Sequence, residues 1–536
     1  MPRAEDIDRR TFLQYGGTAA VAASSVALAG CPADEPADDV DDTDDDVDDT
    51  DDGVDDDVDE EEFHVTVTQG PLTDTLDPVG DNSTPVYNII DQAYEPFLYR
   101  DRDGAIIERI VTDWERVGDN EVRLEVRDGV TFHSGNEMTP EDVAYSINRA
   151  NDPDVSAVAG VIGAIEEARV EDGAVHLDLE QVEPVIFRNL TAFGRVVEQA
   201  WVEDNDGDID TIMNGTGPYE LEEFVDDTRV VYDRFDDYWG EAPEPDGGTY
   251  NSAAEDSTRI DRLLAGESDI ITAVPPGDIP EIDDADDVSS EFIASIRCVF
   301  LVHNDSIPPF DSREFRQAMN YAVDVEAIID SILFEFGQAT SQPTLEGHVG
   351  HNPDLEPYPY DPEQAEQLID ESGYADEEIT LHTPVGRYVR DADVAETAAG
   401  MIDDLPNVTC DVERRDFGAL VGELLDPDPE TAPAYYLIGW GNPTLDANYT
   451  VGPWMGFDGI WRFFHNDELS DLMHQANEEA DDEAREELLQ EANRIAHEEA
   501  AWTFLHQEYS IYGTSDRIEW EAREDEDVLL EHVHRA

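Results

Sequence analysis

The sequence predicts a large α/β body that begins near Phe63, and three observations predict it. The 536-residue chain is 40% hydrophobic and 9% aromatic, enough for a sizeable packed core. Short stretches of alternating apolar and polar residues, rich in β-branched types, read as strands. Among them stand three N-terminal helix signatures, two of which lead directly into apolar stripes at helical spacing. Length gives a soft prior of roughly three to four domain-sized units.

The elements follow in chain order. Asp8-Arg9-Arg10-Thr11-Phe12-Leu13 places twin arginines before a short, uncharged, Ala- and Gly-rich stretch that ends at Gly30. A membrane-spanning helix needs about 20 apolar residues, and this stretch is too short and too weakly apolar. It has the layout of a signal peptide over residues 1–30. The pair Arg9 and Arg10 resembles a Tat export signal, which carries folded proteins. Leu28-Ala29-Gly30-Cys31 resembles a lipobox, in which Cys31 becomes the lipidated first residue. Residues 31–62 are then the lipidated Cys and an acidic tether. The Asp tract has negligible apolar content and should stay extended, reaching at most roughly 110 Å.

Phe63–Thr68 alternates as a strand, and so does Val122–Val126. Thr139-Pro140-Glu141-Asp142 is an N-cap Thr, a Pro at the first helical position and an acid three after the cap. It opens a helix through Ile147. Asp311-Ser312-Arg313-Glu314 is a second capping signature, with Phe315, Ala318, Met319, Ala322 and Val323 on one face. Asp361-Pro362-Glu363-Gln364 is a third, with Gly373 as its stop. Ile379–His382 reads as a strand, Val394–Ile402 as a helix and 467–500 as a polar helical pair. Cys298, in the apolar run Ile296–Val302, is a small core residue. It and Cys410 are too few for a disulfide framework, though a single bridge between them stays open.

The charge is extreme. There are 132 acids against 30 basic residues, all of them Arg, for a net charge of −102. Residues 32–62 hold 20 acids and no Arg, and residues 1–31 hold three of each. The remaining 474 residues keep 109 acids and 27 Arg, a net of −82. No basic stripe exists to neutralise phosphates, which excludes nucleic acid as a partner. Electrostatic docking on an anionic membrane is excluded for the same reason. Acidity over a whole Lys-free body resembles proteins of extreme halophiles. At 1 M salt the Debye length is about 3 Å, which screens the self-repulsion.

Four blocks, in order, carry a specific resemblance. They are Tyr94-Glu95-Pro96-Phe97-Leu98; Leu124 through Ser146 with its V-R-D-G-V-T-F-H-S-G and T-P-E-D-V-A-Y-S runs; Gly215-Thr216-Gly217-Pro218-Tyr219 followed by Tyr232–Trp239; and Asp311–Asp324. Over roughly residues 63–510 the chain resembles the extracytoplasmic solute-binding proteins of peptide and nickel ABC transporters, family 5. The resemblance implies a two-lobed, periplasmic-binding-protein-like α/β fold of type II, with an extra subdomain and a ligand cleft between the lobes. Transferred here, lobe I takes residues 63–105, 205–298 and 505–536. The extra subdomain takes 106–204, and lobe II takes 299–504.

The resemblance also directs the search for ligand contacts. Tyr435–Ile438 is an apolar strand running into the polar loop Gly439-Trp440-Gly441-Asn442-Pro443-Thr444-Leu445-Asp446. Ligands of α/β sheets bind beyond such strand ends. In peptide-binding members the matching loop gives a carboxylate to the peptide amino group. Here Asn442 stands near that place and the next acid is Asp446, which puts a free α-amino ligand in question. Arg387 and Arg390, in a loop before a helix, are candidates for a ligand carboxylate, because Arg recognises carboxylates bidentately. With so many acids in the body, pairing with a surface carboxylate is the competing role of each. Tyr94 and Trp454 are cavity or core residues. Gly215 and Gly217 read as turn glycines.

Catalysis has little support. His348-Val349-Gly350-His351 has no Cys or acid partner at metal spacing, and no hydrolase motif appears. The expectation is therefore a non-enzyme without metal or cofactor. It is a monomeric, lipid-anchored receptor on the outer face of the cytoplasmic membrane that captures oligopeptides, dipeptides or a related solute for ABC permease subunits. The rival from another class is a surface lipoprotein of the same fold used in sensing, adhesion or envelope organisation. A secreted hydrolase is a weaker third.

Overall fold

The computed structural model describes residues 62–536, other than 71, 74, 82, 103, 119, 206–207, 425–430 and 458–462. The expectations for Arg9, Arg10, Cys31 and the acidic tether lie outside the described residues. No helix among the described residues is long and apolar enough to cross a membrane.

An eleven-stranded mixed sheet runs through the body. Its order is Val408–Arg415, Glu377–Pro384, Tyr435–Gly441, Val288–His303, Trp502–Ser515, Ile270–Ile271, His64–Gln69, Gly247–Ser252, Arg229–Arg234 and Tyr219–Val225, with Gly337–Ala339 also on Trp502–Ser515. A separate four-stranded antiparallel sheet is built from Val111–Gly118, Glu121–Val126, Ala174–Leu179 and Ile165–Glu171. Three main cores match this layout. One gathers residues between Cys298 and Leu505, centred on Phe300, Trp454 and Trp502. A second covers the four-stranded sheet with Phe132, Val143, Ile147 and Leu190. The third joins Val65, Ile89, Tyr94, Tyr232, Tyr250 and Val528.

Helices follow all three signatures, but the second is capped by Ser312, one residue later than the box Asp311–Glu314 predicts. Thr139 and Asp142 make a reciprocal capping box, and the helix Pro140–Ala150 runs one turn past the predicted end. Ser312 and Asp361 each accept an amide bond from the residue three ahead, and Gly373 ends its helix at φ 84°, in the left-handed region. The predicted polar pair is the helices Asp467–Glu478 and Asp482–Glu498. The predicted stripe from Phe315 to Val323 is buried throughout. Cys298 and Cys410 are buried free thiols.

The four sequence blocks meet at joints. The Glu95 carboxylate accepts from Trp239 Nε1 at 2.7 Å and Tyr238 Oη at 3.1 Å, and pairs with Arg109 Nε at 2.7 Å. Burial raises its pKa, and Arg109 opposes that shift. His133 bridges the second and third blocks: its backbone N–H donates to Gly215 O at 3.0 Å, and its ring lies 3.0 Å from Gly217 O. A Cβ on Gly215 would sit 1.9 Å from Ala93 O, so the turn glycine is there because the backbone just ahead of the first block fills the space. The fourth block caps another helix. Arg313 and Gln317 donate to Glu498 O, and Arg316 donates to Glu499 O and Phe310 O. Cations and donors at a helix C-terminus satisfy its orphan carbonyls and its dipole.

Candidate functional site

The site is built where the two long central strands change partners. Val288–His303 and Trp502–Ser515 pair over most of their length, but the register shifts between Ala294 and Cys298. In that break Ile296 N–H donates to Glu524 O, and Asn442 N–H donates to Ile296 O, both at 3.0 Å. Strand Tyr435–Gly441 lies alongside and delivers the polar loop to the same place. Gly441 lies against the Arg297 guanidinium: a Cβ there would meet Nη2 at 3.4 Å, an ordinary contact distance.

Arg297 is the centre of a charge cluster. It pairs with Glu508 at 3.3 Å and Glu526 at 3.0 Å. Glu526 also accepts from Thr84 Oγ1 at 3.3 Å and Ser510 Oγ at 3.2 Å. Glu508 accepts the backbone N–H of Val389 at 2.8 Å. Burial would raise both carboxyls. At Glu526 the charge and hydrogen bond of Arg297, with the charge of Arg387, outweigh burial and hold the pKa low. At Glu508 burial wins and the pKa is raised. Chain segments far apart in sequence are thereby tied at one point.

Arg387 and Arg390 have different surroundings. Asp391 accepts the backbone N–H groups of Gly386, Arg387 and Tyr388, at 3.0, 2.8 and 3.2 Å, and so shapes the loop. Tyr388 Oη donates to Gly439 O at 3.1 Å, which docks this loop one residue before Trp440. Arg387 is exposed and lies over the rings of Tyr388 and Phe417, at 5.0 and 5.2 Å. Among the described residues no carboxylate pairs with it. Arg390 sits at φ 57° as the N-cap of helix Asp391–Asp403 and pairs with Asp393 at 2.7 Å.

Trp440 is half-buried. Its Nε1 donates to Tyr449 O at 3.0 Å, and its ring meets Tyr449 and Trp454 at 5.7 and 5.3 Å. Tyr449 in turn packs on Phe193, 5.6 Å away in the core of the four-stranded sheet. Tyr87 completes this edge. Arg195 stacks on its ring at 4.5 Å, and among the described residues its buried hydroxyl has no hydrogen-bond partner. Tyr87 and Tyr449 carried no signal in the sequence, because single tyrosines in polar segments look like any others.

The other candidates are placed differently. Asn442 and Asp446 are fully buried. Asn442 Nδ2 donates to Asp446 O at 3.1 Å and lies 3.2 Å from His348 Nδ1. Asp446 accepts both terminal nitrogens of Arg485 at 2.8 Å. Their polar groups are committed inside the loop. Tyr94 is also in the core, accepting the Asn214 N–H at 3.3 Å, and Trp454 packs edge-on against the stacked rings of Phe300 and Trp502. The structure docks the Arg387 loop on Gly439, one residue before Trp440, and withdraws Tyr94, Asn442 and Asp446 into the core.

Comparison with known proteins identifies this architecture. The family described as bacterial extracellular solute-binding proteins, family 5 Middle, matches residues 105–460. The chain is 24% identical over 434 residues to heme-binding protein A of Haemophilus influenzae, covering 73% of this chain and 77% of that protein. It is 26% identical over 317 residues to the dipeptide-binding protein of Escherichia coli, covering 54% and 58%. A periplasmic binding protein of Helicobacter pylori solved with the peptide STSA superposes with a TM-score of 0.76 at 20% identity, over 88% of this chain and 98% of that one. A Staphylococcus aureus protein in complex with Ni(L-His)2 gives 0.74 at 18% identity, over 88% and 99%. The fold is the two-lobed α/β fold of periplasmic binding proteins, and the chain belongs to the extracellular solute-binding proteins of family 5.

Proposed function

We propose that the chain is the substrate-binding subunit of an ABC importer. It captures an oligopeptide, a dipeptide or a related solute outside the cell and hands it to membrane permease subunits as the lobes close. Relatives named for dipeptide and glutathione binding support solute capture. The observation that carries the ligand reading is Arg387, an exposed guanidinium over the Tyr388 and Phe417 rings with no carboxylate paired to it among the described residues, on a loop shaped by Asp391. Such a group takes a carboxylate bidentately. A ligand touching both lobes stabilises the closed form by its differential affinity.

The test is thermal shift in molar salt with peptide pools bearing free or amidated C-termini. At a hundred times Kd a ligand adds about 2.7 kcal/mol of stability. Free-carboxylate pools are expected to stabilise the wild type and the Arg390→Ala variant, but not Arg387→Ala. No stabilisation by any pool, with no ligand-dependent change in scattering, would sink the reading.

The lobe division 63–105, 205–298 and 505–536, with 106–204 inserted and 299–504 opposite, is supported by the three cores. The Leu28–Cys31 and Arg9-Arg10 signals support Tat export and a lipid anchor, with the Asp tract as spacer and a salty medium outside. Cys31→Ser should move the protein from the membrane fraction to the medium; continued membrane attachment would reject the anchor.

A further inference from the structure

Asn442–Asp446 is built before it meets anything else. Thr444 Oγ1 donates to Asn442 Oδ1 at 2.9 Å, Asn442 Nδ2 donates to Asp446 O, and Arg485 fixes the Asp446 carboxylate with two bonds. Leu445 holds φ 51°, a left-handed conformation that a branched side chain adopts only under constraint. This rigid loop belongs to the part of the chain whose core is Phe300, Trp454 and Trp502. Its outer contacts belong to the other part. Arg188, on helix Ile186–Ala192, donates to Thr444 O at 3.2 Å and lies 3.8 Å from Asp446 Oδ2. Arg100, at the end of strand Leu98–Arg100, donates to Pro443 O. Leu445 also approaches Gly104 so closely that a Cβ there would be 3.2 Å from its Cδ1.

We propose that Asn442–Asp446 is a latch between the lobes, with Arg100 and Arg188 as its catches, so that the closed form is populated before any ligand binds. Guanidinium bonds to carbonyls are charge-assisted. A loop already fixed by Arg485 loses little freedom on engaging them. Arg188 keeps 29% of its side chain exposed, so water can replace its bond when the lobes part. The ligand then needs to supply only the remainder of the closing free energy. Arg100 and Arg188 bond to Pro443, Thr444 and Asp446, and among the described residues neither bonds to Arg387, so the latch stands apart from the proposed carboxylate contact.

The experiment needs no ligand and is independent of the importer reading. Nitroxides on Val117→Cys and Tyr360→Cys, both exposed, report the distance between the lobes; the native Cys298 and Cys410 are buried. The full chain, carrying Cys31→Ser, is stripped of bound solute by unfolding and refolding in molar salt. The wild-type latch should give a dominant short distance. Arg100→Gln with Arg188→Gln should lower the closed-to-open ratio about tenfold or more. If that double variant does not refold, each single variant removes one catch and is read in the same way. Identical distance distributions with and without the catches, whether short or long, would overturn the latch.

Discussion

His506 lies on strand Trp502–Ser515 opposite Val299, buried, with no hydrogen-bond partner for Nδ1 among the described residues. Burial disfavours the imidazolium and pushes its pKa down to about 4. An unfolded histidine titrates near 6.5, so between about pH 6.5 and 4 the unfolded chain binds the extra proton. Stability contributed by neutral His506 is therefore complete above about pH 6.5 and is lost as pH falls through that window, by up to about 1.4 kcal/mol per pH unit. His506→Leu should remove that slope and be more stable than the wild type at pH 5, with little difference at pH 7.5. Denaturant unfolding at constant salt reads it, and parallel pH profiles would refute it. The same scale explains why the candidate ligand residues were only partly legible. Arg387 and Arg390 are alike in sequence, and only the fold shows Asp393 taking one of them. Asp446 looked available because no local pattern shows that Arg485, 39 residues on, folds back onto it.

At the level of elements, what was legible is what is local. Caps need four consecutive residues, so Thr139, Ser312 and Asp361 announced their helices, and an apolar stripe such as Phe315 to Val323 announces its buried face. Strands pair across distance. Val288–His303 was visible only as the apolar run from Ile296, because its first half is half-exposed and carries Ser289, Ser290 and Glu291. Its partner Trp502–Ser515 lies some 200 residues away, as in the bond from Gln507 Nε2 to Ser295 O. The register shift that makes room for Arg297 depends on that pairing, so no window of sequence contains it. The four family blocks were legible as a set, yet the reason for three of them is polar contact between them, Glu95 with Trp239 and His133 with Gly217, while the fourth caps the helix that ends at Glu498.

Across the whole molecule the scarce cations are drawn inward. Arg149, Arg195, Arg259, Arg316, Arg485 and Arg523 all have side chains no more than 9% exposed, and each is paired with an acid. Acids such as Asp77, Glu95 and Asp446 are buried as well, so the outer surface keeps much of the net of −82 over 474 residues. Two electrostatic effects then respond to salt in opposite directions. Repulsion between exposed carboxylates is screened at molar salt, where the Debye length is about 3 Å. Buried pairs such as Asp446–Arg485 and Asp91–Arg195 are shielded from the solvent and screened far less. Salt should consequently remove the destabilising term and leave the stabilising one. Raising KCl from 0.2 M to 3 M is expected to lift Tm by on the order of 10 °C. An uncharged osmolyte at matched water activity should lift it much less, because it strengthens burial without screening charge. A Tm independent of KCl, or an equal rise with the osmolyte, would show that surface repulsion does not govern the stability of this receptor.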